Sequence, residues 1–117
     1  MTKIHNLNKF PKGMTNSYCD ISSLDTEYDI KAINDLGVDE VWYWYASGSY
    51  EGQGQILMRK DDKYDIHDMG HCSCYGPLEH AKFIPQTSEK LIKSYSDNQE
   101  SLKEVIDLFK KAKIYKI

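Results

Sequence analysis

Four aromatic residues stand in a row in Glu40-Val41-Trp42-Tyr43-Trp44-Tyr45-Ala46, and this run restricts the fold more than any other feature. Side chains this wide favour the pleated, half-buried surface of a strand over a helix, where they lose rotamer freedom. Successive strand residues point to opposite faces, so Val41, Tyr43 and Tyr45 share one side and Trp42, Trp44 and Ala46 the other. One face must meet helices. The other is either covered as well, which makes this a central strand, or left open. An open face would be a stacking platform for bases or a small nucleotide, or a protein-binding patch with Trp42 and Trp44 as anchors.

The flanking pattern supplies the layers. Upstream, Thr26 and Asp29 occupy capping-box positions ahead of Ile30, Ile33 and Leu36, and Gly37 follows as a stop, which predicts a helix over 26–36. Downstream, Ser47 to Gly54 contains three glycines and reads as a loop, with Gln55–Lys60 and Lys63–Met69 as a hairpin turned at Asp61-Asp62. Tyr64 and Ile66 alternate with Asp65 and His67, the pattern of a half-exposed antiparallel strand. Lys82–Ile84 reads as a short strand, and Ser88–Tyr95 as a turn or two of helix. Leu102, Val105, Ile106, Phe109 and Ala112 mark an amphipathic helix over 97–113, with acids early and lysines late to suit its dipole. The first 22 residues are polar and read as an irregular arm. With 117 residues the chain has room for one domain and one core. The expected architecture is α+β in two layers: a three- to four-stranded antiparallel sheet with an N-terminal and a C-terminal helix.

Charge is unevenly spread. The net value of −3 resolves into +3 for residues 1–14, −8 for 15–68, zero for 69–87 and +2 for 88–117. An acidic middle does not track a phosphate backbone, which needs clustered cations. It suits a basic partner surface or a solvated face. Glu51, Asp61, Asp62 and Asp65 are the candidate contact acids, with Tyr50 as the neighbouring aromatic anchor.

Chemistry-bearing residues concentrate in His67, His71, Cys72, Cys74 and His80. Structural zinc takes four Cys/His ligands, usually as two chelating pairs. Cys72 and Cys74 form one pair, with His71 and His80 as third and fourth ligands, while a second pair at standard spacing is missing. Zinc is therefore the one cofactor considered, and the competing reading is a compact loop of small buried thiols. A cysteine nucleophile would need a base and an orienting acid from this same short segment, so no enzyme is expected. Gly48 to Gly54 leads into a strand and carries Glu51, unlike a phosphate loop, which opens a helix. Three cysteines fit reduced thiols better than a disulfide scaffold. No segment reaches the ~20 apolar residues of a membrane span, and the first residues lack a signal-type apolar run. A cytoplasmic protein of a bacterial host cell is expected.

The stretch WYWYASGSYEGQGQILMRKDDKYDIHDMGHCSCYGP, residues 42–77, resembles a group of small proteins encoded by bacteriophages and prophages of low-GC bacteria. Its marks are the aromatic strand, the Ser-Tyr-Glu-Gly loop and the run from Gly70 to Pro77, about a third of the chain. Fourteen lysines against one arginine agree with an AT-rich genome. The resemblance brings no catalytic residue with it. It implies an accessory protein of the kind that blocks host machinery, CRISPR inhibitors being the familiar type. The expected partner is a host protein or ribonucleoprotein effector met through the acidic and aromatic surface. The alternatives are a nucleotide sponge or sensor using the aromatic face, and a zinc-stapled interaction domain.

Overall fold

The aromatic run forms the inner strand of a mixed, mostly antiparallel sheet in a computed structural model that describes residues 1–11, 19–48, 51–72, 77–79 and 81–114. The strands are β1 (Lys3–Asn6), β2 (Asp20–Ile21), β3 (Glu40–Ser47), β4 (Glu51–Lys60), β5 (Lys63–Asp68), β6 (His71–Cys72) and β7 (Gln86–Thr87). The helices are α1 (Glu27–Asp35), α2 (Ser88–Ser96) and α3 (Gln99–Lys111). Sheet order is β1-β3-β4-β5-β7, with β2 also on β3 and β6 on β4. The class is α+β.

Thr26 caps α1 by accepting a hydrogen bond from the Asp29 amide at 3.1 Å, and Gly37 leaves it in the left-handed region at φ 72°. The two helical stretches expected at the C-terminal end are both present. Thr87 caps α2 and Asn98 caps α3, so Ser88–Ser96 is a helix in its own right and α3 starts at Gln99 rather than 97. Leu108 fills the α3 stripe beside Leu102, Val105 and Phe109, while Ile106 is half-buried.

Three expectations are corrected. The arm contains a strand: β1 pairs in parallel with β3 from Lys3↔Glu40 to Asn6↔Tyr43, which makes the sheet mixed. Ile4 packs on one side of the sheet, Leu7 and Phe10 on the other, so this polar-looking stretch is stitched to both cores. The glycine-rich loop is shorter than its composition suggests, because Glu51–Gly54 already belong to β4, with Tyr45↔Gly54 and Ser47↔Gly52 in register. The strand expected at Lys82–Ile84 falls instead at Gln86–Thr87, paired to Lys63 and Tyr64.

Two layers become three. Trp42, Trp44, Ala46 and Leu57 pack with Leu91, Leu102, Val105, Leu108 and Phe109 of α2 and α3. On the other face Val41, Tyr43, Tyr45, Ile56 and Met58 pack with Leu24, Ile33, Met69 and Leu78. Every residue from Val41 to Ala46 is buried. The strand is central, covered on both sides. No helix among the described residues is long and apolar enough to cross a membrane.

Candidate functional surface

Burial decides the fate of the aromatic platform. Trp42 is 5% exposed and Trp44 3%, so neither offers a face to a base or to a partner. His5 stacks on Trp42 with ring centroids 5.5 Å apart, and Phe10 lies against Trp44 at 6.1 Å. The Trp44 indole N–H donates to Gln55 Oε1 at 2.8 Å, and the Gln55 amide donates to Glu104 of α3 at 3.1 Å. This chain of polar contacts satisfies the buried groups. A nucleotide could reach these rings only by lifting α2 and α3 from the sheet.

Asp65 is also withdrawn from the surface, at 7% exposure. Its carboxylate accepts from the backbone N–H of Ile66 at 2.9 Å, that of Ile84 at 2.8 Å and the Gln86 side-chain amide at 2.9 Å. It fastens the chain leading into β7 to the edge of β5. Its role is internal.

Glu51, Asp61 and Asp62 are exposed, but they do not form one patch. Glu51 opens β4 and the two aspartates follow its end, so the length of the strand, about 30 Å, separates them. At the Asp61 end charges are compensated. Glu40 pairs across the strands with Arg59, which also reaches Asp39 at 3.7 Å and donates to the Asp61 carbonyl at 2.9 Å. Asp39 accepts from the Asp61 N–H at 2.8 Å and so steadies that residue at φ 55°. His5 adds a hydrogen bond to Glu40 from β1.

Burial alone would raise the Glu40 pKa, but the bonds from His5 and Arg59 outweigh it and hold the carboxyl below the usual range. A lowered folded-state pKa means that the unfolded chain takes up the proton first. The contribution of Glu40 is thus complete above the ordinary glutamate range and is lost as pH falls through its lowered value. Acid titration followed by amide hydrogen exchange should show β1 loosening in that window, and Glu40→Gln should flatten the pH dependence.

The Glu51 end is different. Residues 20–30 hold Asp20, Asp25, Glu27 and Asp29 and no cation. Asp20 pairs with Ser47, and Ser47 with Gly52, which places Asp20 two strands across from the start of β4. Burial raises the Cys19 pKa, and the charges of Glu51 and Asp20 push it further the same way. Burial likewise raises Tyr43, whose hydroxyl accepts from the Leu24 N–H at 2.8 Å, with Asp25 and Asp29 adding to the rise. Tyr45 is pushed up to about 12 by burial and then by Asp29. Glu51 and Asp20 thus act on Cys19 in the cluster under α2 and α3, and Asp25 and Asp29 on the tyrosines of the opposite sheet face. Glu27 and Asp29 also sit in the first turn of α1, where the helix dipole favours them. Tyr28 stands among them at 62% exposure, followed by Ile30 at 37%.

The acids of residues 20–29 and Tyr28 are the elements that reading along the chain missed. Their signal was the cation-free run itself. Tyr50, Cys74 and His80 lie outside the described residues. His71 and Cys72 are placed as the backbone of β6, paired with Gly52 and Glu51. Among the described residues no group of three or more His, Cys, Asp or Glu is arranged to hold a metal ion.

Opposite in charge is a concavity of about 500 Å3 lined by Lys9, Lys110 and Lys111 with Asn6, Leu7 and Asp107. Asp107 pairs with Lys9 at 3.5 Å, and the lysines flank the C-terminal end of α3, where the helix dipole opposes anions. This is ordinary dipole compensation. Comparison with protein families, curated proteins and solved structures found no match to this chain.

Proposed function

We propose that the protein acts by binding rather than by catalysis, docking an acidic and aromatic surface onto a cationic face of a host defence nucleoprotein. The observation that carries this reading is the acidic start of α1, where Asp25, Glu27 and Asp29 surround the exposed Tyr28 in a run, residues 20–30, that holds no cation. Exposed aromatics are strong interface anchors, and a like-signed field steers an oppositely charged partner. The basic channel that holds guide or target strands in a CRISPR effector has the complementary charge. That choice of partner follows the resemblance to small phage proteins expected from the sequence of residues 42–77.

The test uses lysate of a CRISPR-bearing low-GC host. The native protein should retain a guide-containing ribonucleoprotein. Neutralising the start of α1 with Asp25→Asn, Glu27→Gln and Asp29→Asn should weaken retention roughly tenfold, while helix stability falls by only about 0.3–1 kcal/mol per lost acid. Failure to retain any nucleoprotein, or equal retention by both proteins, contradicts the proposal.

A further inference from the structure

Beside Tyr28 the surface dips into a groove of about 250 Å3 between α1 and the turn at residues 77–79. Its walls are Ala32, Leu36, Leu78 and Ala81, with Tyr28 also on its lining. Small-molecule sites span about 300–1,000 Å3, so this groove is sized for one side chain rather than for a free ligand. The apolar walls ask for a hydrocarbon stem. The charge around them asks for a cation: the lining holds Asp35 and Glu79 against Lys31, and Asp25, Glu27 and Asp29 lie at the start of α1. That lysine is already paired with Asp35 at 2.7 Å.

We infer that the groove seats an arginine side chain of the protein partner, its stem along Ala32, Leu36 and Leu78 and its guanidinium over the ring of Tyr28. Arginine fits better than lysine because a planar, weakly hydrated guanidinium stacks on an aromatic face, whereas a compact ammonium keeps its water. Its methylenes also cover apolar surface while the charged head stays outside. Glu79 on the groove's lining supplies a carboxylate, and Glu27 and Asp29 in the first turn of α1 add to the negative field. A phosphate or an acidic peptide is repelled by the same charges. This inference rests on the acidic-surface reading and adds the partner residue to it.

The probes are an arginine hexapeptide and a lysine hexapeptide of equal charge, titrated against the full chain at low ionic strength by fluorescence anisotropy. The arginine peptide should bind about threefold more tightly, the range expected of an exposed cation–aromatic contact. Tyr28→Leu, which keeps apolar area and loses the ring, should bring the two affinities together without weakening the lysine peptide. Tyr28 is mostly exposed, so the substitution leaves the core intact. Equal binding of the two peptides by the native protein, or a preference that survives Tyr28→Leu, overturns the groove assignment and leaves the acidic surface standing. Binding of neither peptide overturns the acidic surface as well.

Discussion

Gly54→Ala should destabilise the protein by about 3 kcal/mol, lowering its melting temperature by about 12 °C for a domain of this size. A Cβ at this position would lie 2.4 Å from the Trp44 carbonyl oxygen and 3.1 Å from the Met69 methyl group. The nearer obstacle is backbone of the paired strand, so no rotamer change relieves it. Relief requires β4 to move away from β3 at the centre of the sheet. Gly70→Ala is the control: nothing lies within 4 Å of its added carbon, and a change of less than about 0.5 kcal/mol is expected. Thermal melts of the two variants should separate widely. Coincident melts would show that β3 and β4 are not held at this spacing.

Asp65→Ala should cost a similar amount, about 3 kcal/mol, by a different route. Removing the carboxylate deprives the Ile66 and Ile84 N–H groups and the Gln86 amide of their acceptor in one step. Only the carboxylate itself is buried, and the partly buried donors around it would lose three bonds at once with incomplete replacement by water. Hydrogen exchange should report the loss locally, with faster exchange at Ile84 and in β7 than in β3. Asp65→Asn keeps one acceptor oxygen and turns an amide donor toward other donors, so it recovers only part of the stability. A surface acid would behave otherwise: its removal would leave the melt unchanged and alter only partner binding.

These two sites show where reading along the chain succeeds and where it stops. The alternation in Val41–Ala46 separates the strand's two faces correctly, and the capping of Thr26 and the stripe of α3 are local patterns that local sequence reveals. Whether each face is covered is a question about distant residues. Trp42 and Trp44 are buried because α2 and α3, some fifty residues on, lie over them. Asp65 alternates with Tyr64 and Ile66 like a solvent-facing residue, yet Ile84 and Gln86 fold back onto it. Gly54 resembles a loop glycine until its partner Tyr45 shows that the backbone approach demands it.

The same limit applies to the binding surface. Composition locates acid in the middle of the chain, and strand pairing divides it. Asp61 and Asp62 end in a corner where Arg59 offsets Asp39 and Glu40. Glu51 stands at the other end of β4, and Asp25, Glu27 and Asp29 at the start of α1 have no such offset within residues 20–30. Electrostatic attraction between surfaces falls off over about 10 Å in moderate salt, so the two sites cannot substitute for each other.

Affinity for the retained nucleoprotein, measured for the native chain and two neutralised variants at one salt concentration, separates the sites. With Asp25→Asn, Glu27→Gln and Asp29→Asn the affinity should drop roughly tenfold and depend less on salt, while Asp61→Asn with Asp62→Asn should change it by less than about twofold. Equal losses from the two variants, or a larger loss from the Asp61 and Asp62 pair, would contradict the account.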